Sequence, residues 1–130
     1  MPHFIVEYSS NLDDEIKVQK LLSTLHDAAL ETGMFPLGGV RFRAVRCERF
    51  LIADGDPENA FVHMTLKLGA GRDMDARKKA GEMIFEALKN YFRSLFAKRP
   101  LAVSFEIVEL HEELNFKENN IHEHIRQKQN

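Results

Sequence analysis

The chain has a single cysteine, Cys47, among its 130 residues, so it can form no internal disulfide, and nothing else in it points to an oxidising compartment. No apolar run approaches the roughly 20 residues that cross a bilayer, so no membrane partner is expected. The opening, Met1-Pro2-His3-Phe4-Ile5-Val6-Glu7, lacks both a basic segment and a long apolar one and therefore reads without a secretory signal. Together these absences predict a cytoplasmic protein. An excess of charge is missing too: 18 Lys and Arg against 20 Asp and Glu leave a formal net charge of −2, which argues against a nucleic-acid partner. There is no glycine-rich loop followed by lysine and no dinucleotide fingerprint. The tail histidines lack metal-binding spacing. His111-Glu112-Glu113-Leu114-Asn115 has no second histidine four residues on, and His122 and His124 diverge on a helix. No metal and no cofactor are expected.

What remains is a chain with 44% hydrophobic and 29% charged residues, enough for one domain with one core. His3 to Tyr8 is rich in β-branched and aromatic residues and predicts a strand. Asn11 is placed to cap a helix with Asp13, Asp14 and Glu15 in its first turn and Leu12, Ile16, Leu21, Leu22, Leu25, Ala28 and Ala29 along one face; Gly33 would stop it. After a turn at Pro36, Gly38 and Gly39, residues Val40 to Ile52 read as a long strand or hairpin arm. Phe61 to Leu68 alternates, with Val62, Met64, Leu66 and Leu68 on one side. A second helix carries Ala76, Ala80, Met83, Ile84, Ala87, Leu88, Tyr91, Phe92 and Leu95 as its apolar stripe and ends before Pro100. Leu101 to Leu110 closes the series as a strand, followed by a polar tail.

The order β-α-β, β-α-β predicts a single α+β domain over residues 1–130: a four-stranded mixed sheet with both helices on one face. Phe4-Ile5-Val6 and Phe61-Val62-His63 echo each other as the first strands of the two halves. Ile5, Val45 and Leu51 are expected on the opposite face, which a neighbouring copy would cover, so a homo-oligomer is expected.

Two features suggest chemistry. Arg41, Arg43, Arg46 and Arg49 crowd together and Arg72 stands alone after Gly69-Ala70-Gly71, local positive charge that suits a small anionic ligand. The glycine loop and the helix start after it would also favour an anion. Pro2 follows the initiator methionine, which is normally removed before a small residue; the product would be a free secondary amine, able to take and return a proton. By position alone, Pro2 reads simply as the first residue of a strand.

The company of Pro2 changes that reading. Pro2-His3-Phe4-Ile5-Val6-Glu7, Thr32-Gly33-Met34-Phe35-Pro36-Leu37, Ala60-Phe61-Val62-His63-Met64-Thr65-Leu66-Lys67 running into Gly69-Ala70-Gly71-Arg72, and Ser104-Phe105-Glu106 running to Leu114-Asn115-Phe116-Lys117 resemble, in order, the tautomerase superfamily. Within it, the chain most resembles the 5-carboxymethyl-2-hydroxymuconate Δ-isomerase family of homoprotocatechuate (4-hydroxyphenylacetate) degradation. The resemblance implies a cofactor-independent isomerase with Pro2 as general base, Arg41 and Arg72 binding and polarising a small carboxylated dienol, and a homotrimer in which residues 111–130 form a tail on a neighbouring subunit. Arg43 could add a second carboxylate contact, although a solvated strand arginine accounts for it as well. Two alternatives stay open: a tautomerase for a smaller 2-hydroxydienoate, and a non-enzymatic oligomeric module that binds a small effector.

A base serves best with its pKa near the working pH, and a pyrrolidine amine is too basic unless its site lowers it. Desolvation and nearby cations both disfavour the ammonium form; one guanidinium about 6 Å away contributes roughly 2.8 kcal/mol at an effective dielectric near 20. Arg41 and Arg72 could thus hold the substrate and keep Pro2 neutral.

Overall fold

A computed structural model describes residues 1–129. The strands are β1 (His3–Ser9), β2 (Arg41–Cys47), β3 (Ala60–Gly69) and β4 (Leu101–Leu110), and the helices α1 (Val18–Glu31), α2 (Met74–Tyr91), α3 (Arg93–Phe96) and α4 (Ile121–Gln129). They form one four-stranded sheet in the order β2-β1-β3-β4. β1 pairs parallel with β2 and β3 parallel with β4, while the central β1–β3 pair is antiparallel. This is the expected α+β arrangement of two β-α-β units. α1 and α2 cover one face, where Phe4, Val6, Val62, Met64, Leu66 and Leu68 join Leu21, Leu25, Ile84 and Leu88 in a single core. No helix among the described residues is long and apolar enough to cross a membrane.

The alternation in β3 places its side chains as expected, each of the four apolar residues being almost fully buried. Long-range hydrogen bonds overrule the sequence pattern elsewhere. Asn11 caps nothing: its amide donates to Pro57 O (3.2 Å) and Asn59 O (2.7 Å) in a distant loop. Ser10–Leu12 is instead a 3-10 turn, and α1 starts only at Val18. There Tyr91 Oη, at the end of α2, accepts from Lys17 N (3.2 Å) and donates to Lys17 O (3.3 Å). Gly33, with φ +72°, ends α1 as expected.

β2 is an edge strand and ends at Cys47, where its only partner β1 ends at Ser9, so it does not run on to Ile52. Residues 48–59 form a loop, with Leu51 85% exposed and off the strand. The echo between Phe4 and Phe61 is also out of phase. Phe4 is buried opposite Leu66, whereas Phe61 lies on the other face beside His63 and Thr65. Along α2, Met83 and Ala76 are exposed rather than core, and the helix breaks at Phe92 before α3.

The helix-free face presents His3, Ile5, Glu7, Arg41, Arg43, Val45, Phe61, His63, Thr65, Lys67, Ser104, Glu106 and Val108, by strict alternation from the buried residues. His63 is tied down there, with Nδ1 2.6 Å from Ser104 Oγ and Nε2 3.2 Å from Glu106 Oε1. Cys47 closes β2 on the same face without a charged partner.

Candidate active site

The topology collects four chain segments at one edge of the sheet. Parallel pairing sets the first residues of β1 and β2 side by side, His3 opposite Arg41. Antiparallel pairing brings the end of β3 to the same edge, with Lys67 opposite His3. β4 finishes in step with β3, Leu110 opposite Gly69, so the tail leaves from this edge as well. Pro2, Arg41, Arg72 and the start of the tail therefore converge, although they are far apart along the chain.

Pro2 is buried and its carbonyl accepts the Arg41 backbone N–H at 3.2 Å, which extends the β1–β2 ladder by one bond. Its ring rests on the Leu37–Gly39 turn: a β-carbon on Gly39 would stand 3.6 Å from Pro2 Cδ, an ordinary contact distance. The Arg41 guanidinium donates to Gly39 O at 2.8 Å and is half-buried against the same turn. Arg72 follows Gly71, whose φ of +105° suits a residue without a side chain. Its guanidinium donates to Gly69 O at 3.4 Å and lies 6.0 Å from the centre of the buried Phe35 ring. Among the described residues, both arginines keep donors unspent, each being held by one backbone carbonyl and no carboxylate.

The sign of the local field is plain at the chain's end. Burial, followed by the cations of Lys117, Arg41 and Arg72, holds the terminal amine, here that of Met1, below the ordinary α-amine range. The His3 imidazole is also lowered, by burial first and then by Arg43 and Arg41.

The other arginines disperse. Arg43 shares the Arg41 face but is exposed, with Nη1 3.2 Å from His3 Nδ1. Arg46 points to the opposite side and grips Asp13 through Nε at 3.0 and 2.8 Å. Arg49 lies beyond β2 in the exposed loop. The Gly69–Asp73 loop offers less to an anion than expected: Gly71 N–H donates to Glu109 Oε2 at 3.3 Å, and Asp75 sits in the first turn of α2. The Arg72 side chain is the donor this loop leaves open to an anion. Beside Arg72 opens a groove of about 450 Å³ lined also by Thr32, Met34, Lys79 and Met83; neither Pro2 nor Arg41 borders it.

Sequence reasoning assigned no role to Lys117, although after burial it is the cation that does most to lower the terminal amine. The signal lies in topology: β3 and β4 end together, so the segment after β4 starts at the Pro2 edge. His111, discounted as a ligand, accepts the backbone N–H groups of Glu113 and Leu114 on Nδ1, both at 3.0 Å.

The family model for 5-carboxymethyl-2-hydroxymuconate isomerase matches residues 2–125. A curated 5-carboxymethyl-2-hydroxymuconate Delta-isomerase from Escherichia coli is 49% identical over 122 residues, which cover 94% of this chain and 97% of that protein. The chain belongs to this isomerase family. Its fold agrees. The crystal structure of a 5-carboxymethyl-2-hydroxymuconate isomerase from Deinococcus radiodurans R1 is similar with a TM-score of 0.90 and 39% identity, covering 96% of this chain and 94% of that one. A fused 4-OT described as a symmetric trimer has a TM-score of 0.58 and 17% identity, covering 82% and 85%, a likeness of fold alone. The family is one of isomerases, the fold is that of the tautomerases, and trimers occur among proteins of this fold.

Proposed function

We propose that this chain, once Met1 is removed, isomerises 5-carboxymethyl-2-hydroxymuconate to its 2-oxo form with Pro2 as the base. The observation that supports this most directly is the convergence of the chain's amino end with Arg41 and Arg72, in a member of this family. The neutral Pro2 amine takes the proton of the 2-hydroxyl group. The electron pair moves through the conjugated system, a C=O forms at C2, the double bonds shift, and the proton is delivered to C5. Atoms and charge balance with one group that returns what it takes. Arg41 and Arg72 pair with substrate carboxylates, and whichever lies beside the 2-oxygen stabilises the charge that develops there. Together with burial they keep the amine in its free form.

The same reading makes the active protein a homotrimer, in which a neighbouring subunit covers the helix-free sheet face and the exposed tail residues Leu114 and Phe116. Val45 is 44%, Val108 42%, Leu114 71% and Phe116 85% exposed in the single chain, more apolar surface than an isolated domain needs to leave open. Arg43 is held on that face by His3 and fits a field or subunit-contact role.

An ultraviolet assay with 5-carboxymethyl-2-hydroxymuconate, using protein whose mass confirms that Met1 is absent, tests the assignment. Loss of the dienol absorbance well above the spontaneous rate is expected. A flat trace from processed, folded oligomer rejects this substrate and favours a smaller 2-hydroxydienoate.

A further inference from the structure

We propose that Lys117 is a third cation of the substrate site, that it binds the carboxymethyl carboxylate, and that Asn119 and His122 position it. The inference rests on the isomerase reading above and deepens it by naming what selects the substrate.

The tail is moored to the turn that carries Pro2. Asn119 Nδ2 donates to Gly38 O at 2.9 Å, and Asn119 Oδ1 accepts the Ile121 N–H at 2.8 Å, which starts α4. The His122 ring packs so closely on Gly38 that a β-carbon there would overlap it, with His122 Cγ at 2.8 Å. Gly39, the next residue, faces Pro2, whose Cδ would lie 3.6 Å from a β-carbon there, and supplies the carbonyl that holds the Arg41 guanidinium. The Leu37–Gly39 turn thus supports Pro2 from one side and the tail from the other. Lys117 stands two residues before the Asn119 anchor on Gly38, and with Arg41 and Arg72 it is one of the cations that lower the amine at the chain's amino end.

Charge matching supplies the ligand. A muconate carries two carboxylates and its carboxymethyl branch a third, and Lys117, Arg41 and Arg72 are the cations that act on the chain's amino end. Arg41 and Arg72 are braced by backbone carbonyls of the sheet edge and suit the ends of the conjugated chain. Lys117 is exposed on a strap outside them, a flexible point charge suited to a branch that takes no part in the proton transfer. Its contribution is to affinity for the branched substrate, so it belongs in KM more than in kcat.

The test compares 5-carboxymethyl-2-hydroxymuconate with unbranched 2-hydroxymuconate. For Lys117→Gln, the ratio of kcat/KM between branched and unbranched substrates should fall roughly tenfold, chiefly through KM for the branched one, as expected for one partly exposed charge-assisted contact. Lys117→Arg should restore most of the ratio. Asn119→Ala, which frees the strap but keeps the Lys117 charge, should lower the ratio about threefold. Thermal unfolding and gel filtration confirm that the variants fold and assemble. An unchanged ratio in Lys117→Gln, or an equal loss on both substrates, overturns the role of Lys117 while the isomerase reading stands. Wild-type protein inactive on both substrates overturns the isomerase reading and this inference with it.

Discussion

One extra residue ahead of Pro2 should nearly abolish the isomerase while leaving the fold intact. Met1 shows the geometry of such an extension. With it in place the Pro2 nitrogen is an amide with no free lone pair, and the nearest amine moves by one residue, about 3 Å. That amine then lies in the field of Lys117, Arg41 and Arg72, the cations proposed to hold the substrate carboxylates. A positioned base is worth about 10²- to 10⁴-fold, and a misplacement of about 1 Å can cost 10²-fold by itself. A loss of about 10³-fold or more in kcat/KM is therefore expected, some 4 kcal/mol of transition-state stabilisation. The fold does not depend on the change, because the ladder bond from Arg41 N–H goes to the Pro2 carbonyl, which is present either way. The assay compares mass-verified protein beginning at Pro2 with protein beginning Gly-Pro2, matched in thermal unfolding and elution volume, by initial rate of dienol loss less the spontaneous rate. An extended protein within tenfold of the processed one would refute the amine as the base.

Further expectations follow from the same geometry. Arg41→Ala and Arg72→Ala should each reduce kcat/KM by about 10²-fold or more, the scale of a lost charge-stabilising donor, whereas Arg46→Ala, whose group grips Asp13 on the far side of β2, should stay within about twofold; equal activity in all three would sink the arginine roles. The base acts as a free amine, so activity falls as pH drops through its folded pKa. Burial and the cations lower the amine of Met1, and the same surroundings should lower that of a terminal Pro2, so the acidic limb of kcat/KM should lie below the range of an exposed α-amine, and Lys117→Gln should move the limb to higher pH. His3 is likewise lowered from 6.5, so the unfolded chain takes its proton first; stability should be full above about pH 6.5 and decline as pH falls through the folded value, a slope that His3→Gln should flatten in urea titrations. Phe4, fully buried, stacks on Phe42 with centroids 4.1 Å apart and meets Phe35 edge-on at 5.5 Å. Phe4→Ala should cost about 3–5 kcal/mol in chemical denaturation.

What was readable along the chain is what short-range periodicity encodes. Alternation in Val62, Met64, Leu66 and Leu68 specifies a strand and its buried side, because a pleated backbone turns successive side chains to opposite faces. The stripe through Ala80, Ile84 and Leu88 specifies a helix and the face it buries. The resemblance of four ordered blocks brought Pro2, Arg41 and Arg72 forward as a set. The larger misreadings lie where contacts with a distant segment decide a residue's place. Asn11 has the chemistry of a helix cap, yet the carbonyls of Pro57 and Asn59 take its amide. Residues 48–52 have the composition of a strand, yet β1 ends at Ser9 and offers them no partner. Phe61 looks like Phe4 in isolation, yet the β1–β3 register turns it to the opposite face. Lys117 is the clearest case. It closes one of the resembling blocks, yet no local pattern gives it a role, since its place depends on β3 and β4 running parallel and on the Gly38 turn accepting Asn119 and His122. Periodicity is a property of neighbouring residues and survives in a string of letters. The meeting of Lys117 with the amino end depends on contacts closed across the whole length of the chain, and those exist only once the sheet has formed.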